Sequence, residues 1–178
     1  MKLKHVALVL ITGSILLFGC KKLKDLLTFD MSYSKEFTIP GSIAGADFNA
    51  TIPNPEISTN STSTFDAKKT ASNLVKTITL KEMKLQITAP TDSSYYFLEL
   101  VEVYISANGV AETKIASKTN IPASPGGTIT LDPSGANLMD YLKKDKFSIR
   151  VRIKMDQTTT ITYTNKASMI FEVSADPL

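Results

Sequence analysis

From Phe147 to Asp156 the chain alternates strictly. Phe147, Ile149, Val151, Ile153 and Met155 are apolar, and Ser148, Arg150, Arg152, Lys154 and Asp156 between them are polar. Successive side chains on a strand point to opposite faces, so this spacing predicts a strand with one buried and one wet side. The same period recurs in Met169, Phe171, Val173 and Ala175, in Val101, Val103 and Ile105, and in Met83, Leu85 and Ile87. Ile78 and Leu80 stand in the opposite phase to that last set, which predicts a bulge at Glu82-Met83. Glu99 shares the phase of Val101 and Val103, so a regular strand sets it on the face opposite Glu102. Weaker runs at Phe37-Ile39, Phe48-Ala50-Ile52, Ile129-Leu131 and the threonine-rich residues 159–164 add further strands.

Turn residues separate these runs: Pro40-Gly41, Pro53-Asn54-Pro55, Ala89-Pro90, Pro125-Gly126-Gly127 and Asp132-Pro133-Ser134-Gly135. Asn108-Gly109 suits a tight hairpin into a strand through residues 113–116. A short helix is expected at residues 137–144, where Leu138, Tyr141 and Leu142 share a face and lysines fall in the last turn. Residues 54–72, rich in Ser, Thr and Asn, read as a long loop. Many half-buried strands joined by turns predict an all-β fold, an immunoglobulin-like sandwich of two antiparallel sheets with one short helix.

The start of the chain reads differently. Lys2 and Lys4 precede an apolar run over residues 6–18, too short for a membrane-crossing helix of about 20 residues, and the pattern is that of a signal peptide. The run ends at Leu17-Phe18-Gly19-Cys20, which resembles a bacterial lipobox; the resemblance implies cleavage before Cys20 and lipidation of its thiol. The expected divisions are a signal peptide at 1–19, an anchor and tether at 20–32, and a β domain at 33–178. Lys21 directly after the cysteine implies, by resemblance to known sorting signals, the outer membrane. Lysines rather than an acidic run in the tether favour its periplasmic face over the cell surface.

Removal of 19 of the 178 residues leaves 159, with 18 Lys and Arg against 17 Asp and Glu, and without His5. That is enough chain for one domain with a core. A nearly neutral balance excludes a nucleic-acid binder, which needs a clustered cationic excess. Without histidine or a free thiol, Ser-His and Cys-His catalysis and imidazole or thiolate zinc sites are excluded as well.

Three routes to chemistry remain, and each has a plainer reading. Glu99 and Glu102 do not pair on a regular strand. Ser32 and Lys35 have the spacing of a helical serine-lysine pair but lead into a strand, which directs them to opposite faces. Asp132, Ser134 and Asn137 are sparse for calcium and suit a turn and helix cap. No catalytic residue, metal or cofactor is therefore expected.

Candidate contact residues are Arg150, Arg152 and Lys154, which share one strand face and include both arginines of the chain. They suit an anionic group on a glycan, lipid or protein; the plainer reading is cross-strand pairing with glutamates such as Glu102. Tyr95, Tyr96 and Tyr104 are candidates for stacking on sugars or anchoring an interface.

The segment Phe97-Leu98-Glu99-Leu100-Val101-Glu102-Val103-Tyr104-Ile105-Ser106, with Ile115-Ala116, Leu131-Asp132 and Tyr141-Leu142, resembles small uncharacterised β-sandwich lipoproteins of the Bacteroidota type. That resemblance implies no activity. The expectation is a lipid-anchored, non-catalytic module whose partner is an envelope protein or glycan, with a surface glycan-binding or adhesion module as the alternative.

Overall fold

The computed structural model describes residues 27–178, so the expected signal peptide, Cys20 and residues 21–26 of the tether lie outside the described residues. The strands are β1 (Leu27–Ile39), β2 (Asp47–Asn49), β3 (Glu56–Ser58), β4 (Val75–Ala89), β5 (Leu98–Ala107), β6 (Val110–Thr119), β7 (Thr128–Pro133), β8 (Lys146–Met155) and β9 (Tyr163–Ala175). Two short helices, α1 (Ser61–Ala67) and α2 (Met139–Leu142), and a 3-10 turn at Ser72–Leu74 complete the described elements. The fold is all-β and antiparallel. Phe147, Ile149, Val151, Ile153 and Met155 are all buried, as their alternation predicts.

The strands form one hydrogen-bonded sheet in the order β1-β9-β4-β7-β6-β5-β8-β2, with β3 also paired to β8. This sheet curls into a half-barrel, so the elements at its two ends approach each other. Beyond β2, Thr51 accepts a bond from the Thr38 N–H of β1 at 2.8 Å and donates its own to the Thr38 carbonyl at 3.0 Å. The Tyr33 hydroxyl of β1 donates to the Thr59 carbonyl at 2.7 Å. Inside the curl, the Tyr33 ring meets Phe147 of β8 edge-on at 5.2 Å, and Phe147 meets Phe171 of β9 at 6.1 Å. Such edge-to-face contacts each add about 0.5–1.5 kcal/mol beyond the area they bury.

Two bulges set which side chains face inward. In β4 the register against β9 shifts between Leu80 and Glu82, making Lys81 the extra residue. Ile78 and Leu80 before it, and Met83 and Leu85 after it, are therefore all buried. The bulge lies one residue before its expected place. In β5 the register against β8 shifts between Leu98 and Leu100. Glu99 is the extra residue there and is exposed, not on the face of Val101 and Val103 as a regular strand requires. The hairpin at Asn108-Gly109 forms as expected, with Ala107 opposite Val110 and Gly109 at φ +73°, where a side chain would be strained.

Three other segments differ from expectation. Residues 27–32, read as the end of a tether, are the first part of β1, because Phe29 and Met31 are buried against β9. Within residues 54–72, read as a loop, α1 forms and docks Phe65 edge-on against Phe29 at 6.3 Å. Its one large apolar side chain leaves too little periodic signal to mark a helix. The expected helix at 137–144 shortens to one turn that buries Tyr141 and Leu142.

Candidate functional site

The outward faces of β2, β8, β5 and β6 bring most of the candidate residues together. On adjacent strands, side chains of one phase stand side by side, so polar positions of β8 meet polar positions of β5 and β2. Arg152 lies opposite Glu102 and Asn49; Arg150 lies opposite Tyr104. Arg152 donates through Nη1 to Glu102 Oε2 at 2.8 Å and through Nε to Asp47 Oδ1 at 2.9 Å. From the other side, Lys114 Nζ donates to Glu102 Oε1 at 3.0 Å. The Tyr104 hydroxyl donates to Glu102 Oε2 at 2.8 Å.

A second set runs alongside. Arg150 donates through Nε and Nη2 to the two carboxylate oxygens of Glu112, at 2.9 and 2.6 Å, and through Nη1 to Asn49 Oδ1 at 2.8 Å. Its guanidinium carbon sits 4.0 Å from the Tyr104 ring centroid, a cation-π contact. Lys154 pairs with Glu99 at 2.6 Å, a contact the β5 bulge makes possible by turning Glu99 outward.

The electrostatics follow from this geometry. Glu102 has a side chain only 11% exposed. The Tyr104 hydroxyl, with Lys114 and Arg152 beside it, holds its carboxyl down to about 2. Arg152 holds Asp47 below the usual carboxylate range, and Arg150 does the same for Glu112. Asp47, Glu99, Glu102 and Glu112 balance Lys114, Arg150, Arg152 and Lys154, leaving a neutral lattice. Both arginines already have carboxylate partners in forked geometry, so an incoming anion would have to displace them.

The three tyrosines do not form one stacking surface. Tyr95 is fully buried, and its hydroxyl donates to the buried Asn165 Oδ1 at 2.7 Å; it is a core residue. Tyr95 lies in the loop before β5, and its burial depends on Asn165 of β9, 70 residues further on, so local pattern does not show it. Tyr96 is half-buried, edge-on to Phe97 at 5.6 Å. Tyr104 points outward as expected, but Arg150 covers its ring and Glu102 takes its hydroxyl.

Other sequence candidates are tied up locally. Asp132 pairs with Lys118 at 3.2 Å. Ser134 Oγ accepts from the Ala136 N–H, and Asn137 Oδ1 from the N–H groups of Ile78 and Met139. Ser32 and Lys35 both lie on β1, and Lys35 Nζ reaches the Glu56 carbonyl at 3.4 Å. Among the described residues, no three of His, Cys, Asp and Glu gather so as to hold a metal ion. An open groove of about 560 Å³ runs between the β5–β6 hairpin and the start of β8, lined by Glu56, Asn108, Asp145 and Lys146. Lys146 and Glu56 pair across it at 2.8 Å.

Asp47, Glu112 and Lys114 were not legible as partners of this lattice. Asp47 sits on a three-residue strand, and Lys114 reaches Tyr104 only through two register shifts in the hairpin.

No protein-family model matches the chain, and neither does any curated protein sequence. Among solved structures, the chain is similar to a capsid structure of Helicobacter pylori bacteriophage KHP30 at 6% identity, covering 82% of this chain and 92% of that one, with a TM-score of 0.34. It is also similar to Desmodium yellow mottle tymovirus, at 14% identity over 85% of this chain and 84% of that one, with a TM-score of 0.26. Turnip yellow mosaic virus follows at 11% identity over 86% and 96%, with a TM-score of 0.29. TM-scores this low carry no functional argument.

Proposed function

We propose that this chain is a lipid-anchored protein of the bacterial envelope, whose β domain binds or supports another envelope component without catalysing a reaction. The observation that carries the reading is the apolar run ending at Leu17-Phe18-Gly19-Cys20, with β1, the first described strand, already under way at Leu27. An anchor placed so near a domain suits a protein that works at the membrane surface. The paired carboxylates of the outer face support a non-catalytic role, since a general acid or base needs a carboxyl titrating near the working pH, whereas Glu102 is held near 2.

The address is the outer membrane and its periplasmic face, on the strength of Lys21 and the lysines that follow. For the fold, we read the half-sheets β1-β9-β4-β7 and β6-β5-β8-β2 as two layers of a sandwich, immunoglobulin-like in that sense. Phe147 of β8, in one layer, meeting Tyr33 and Phe171 of the other supports this.

The test is metabolic labelling with a fatty acid, followed by detergent phase partition of the full chain and of Cys20→Ser. The label and the detergent-phase partition are expected in the first and absent in the second. Equal labelling of both would remove the anchor. In-cell crosslinking of the labelled chain is then expected to capture a defined envelope protein.

A further inference from the structure

We infer that two copies of this chain pair antiparallel along the outer edge of β1, with Ser32 of one copy opposite Ser32 of the other, so that their sheets join. β1 stands at the end of the strand order and pairs along its whole length with β9, in a register without shifts. Near the end of the strand, Thr38 turns its N–H and its carbonyl to Thr51, away from β9. Both backbone groups of a strand residue point to the same side, and the side alternates along an antiparallel strand. Thr28, Asp30, Ser32, Ser34 and Glu36 share the phase of Thr38 and direct theirs away from β9 as well. These groups have no backbone partner among the described residues, and all five side chains are exposed.

An open edge invites a further strand, and proteins guard against this with short edge strands, proline, bulges or a covering segment. Elsewhere the fold is guarded in these ways. β2 and β3 have three residues each. Along β6 the Ala111 carbonyl accepts the Tyr141 hydroxyl at 2.6 Å, and the Ile115 carbonyl accepts the Ser134 N–H at 2.8 Å. β1 has 13 residues, no proline and no bulge. Its one lysine, Lys35, shares the phase of the buried Met31 and Phe37, and its Nζ is taken by the Glu56 carbonyl at 3.4 Å. An open groove of about 400 Å³ beside Ser34, Glu36 and Pro53 leaves room along the edge.

The side chains of this edge select both the occupant and the register. Centred on Ser32, self-pairing sets Asp30 opposite Ser34 and Glu36 opposite Thr28, so each carboxylate of the row meets a hydroxyl that can donate to it. On the inner side the same register sets Met31 opposite Tyr33, which continues the apolar face from one copy into the other. Centring on Tyr33 instead would set Asp30 opposite Glu36, a like-charge pair that destabilises. That register, and one centred on Ser34, would also call on Thr38, which Thr51 already holds. The strand that best complements this edge is therefore the same strand of a second copy.

Residues directly opposite in a bonded antiparallel pair have Cα atoms about 5.5 Å apart, within the range of a disulfide. The test places Ser32→Cys, Ser34→Cys and Ser124→Cys singly in the full chain, in cells that produce it, under a mild oxidant. The unsubstituted chain, whose one cysteine is Cys20, gives the baseline. Ser32→Cys is expected to form a covalent dimer well above that baseline. Ser34→Cys should not, because its two copies stand about 14 Å apart in this register, and neither should Ser124→Cys in the loop after β6. Asp30→Cys combined with Ser34→Cys should crosslink again. The pattern should be the same on a Cys20→Ser background, so the pairing stands or falls apart from the lipid anchor. Ser32→Lys and Ser32→Glu each set like charges face to face and should lower co-capture of two differently tagged copies by about fivefold. Mixing S32K with S32E copies should restore it. Absence of the Ser32→Cys dimer, equal crosslinking through Ser34→Cys, or co-capture unchanged by S32K overturns the pairing. A Ser32→Cys adduct with a different protein in place of the dimer overturns the second copy as the occupant.

Discussion

Glu102 of β5 and Arg152 of β8 face each other across the sheet, Arg152 Nη1 donating to Glu102 Oε2 at 2.8 Å. The same carboxylate accepts from Lys114 and from the Tyr104 hydroxyl. It is the node where the charges of three strands meet.

The carboxyl of Glu102 is held at about 2 in the folded chain, below its ordinary value of 4.5. A depressed carboxyl adds stability above its unfolded value, and that contribution is lost as pH falls through the folded one. The denaturation midpoint is expected to fall between about pH 5 and pH 2, and to fall less in Glu102→Gln. At neutral pH that substitution should cost about 1–2 kcal/mol, because solvent around the exposed partners screens much of the interaction. Chemical denaturation across pH checks both; identical pH slopes for the two proteins would count against the node.

Tyr95→Phe removes the donor to Asn165 Oδ1 without changing the shape of the core. A buried acceptor left without its partner costs about 1–3 kcal/mol. Thermal unfolding should show that loss. Tyr95→Phe combined with Asn165→Val should lose less than the two single losses added, since removing both partners leaves fewer groups stranded. Loss of a surface contact alone would leave stability untouched.

Gly41 packs against the backbone of the loop before β9. A Cβ there would lie 2.6 Å from the Thr160 carbonyl carbon. Gly41→Ala must separate the two loops, at a cost of about 1–3 kcal/mol, and should weaken the Ser42–Thr159 bridge seen by amide exchange. The neighbouring Ser42→Ala should change neither readout.

Deleting Lys81 differs in kind from truncating it. Removal of the extra residue in β4 slips the strand by one, which turns a whole set of side chains to the other face. Ile78 and Leu80, or else Met83 and Leu85, would then point to solvent, and the loss should exceed about 4 kcal/mol. Lys81→Ala keeps the backbone count and breaks an exposed pair with Asp30, so its melting curve should stay close to that of the parent chain.

Much of the framework was legible along the chain. The buried phase of β8, the Asn108-Gly109 hairpin and the phase switch in β4 all arise from neighbours in sequence, because a strand exposes its period locally. Where one residue is added to a strand, the local pattern misleads. Glu99 has the phase of a core residue, and the bulge that turns it toward Lys154 depends on how β5 pairs with β8. The helix α1 was hidden for a related reason: Phe65 is its one large apolar residue, and its burial depends on Phe29, which lies 36 positions earlier.

The candidate site shows the same division. Arg150, Arg152 and Lys154 were marked as one face by alternation alone, and Tyr104 was set outward by the phase of Val103. Which carboxylates meet them was decided by tertiary structure. Asp47 lies 105 residues from Arg152, and Glu112 lies 38 from Arg150. Tyr95 and Tyr96 are neighbours in sequence, yet one is buried on Asn165 and the other half-exposed. Within each regular stretch of strand, the face a residue takes follows from neighbours in sequence, because backbone geometry repeats with a period of two. Which faces meet is set by the folded arrangement, because strand order, bulges and the curl of the sheet depend on contacts between residues far apart in the chain.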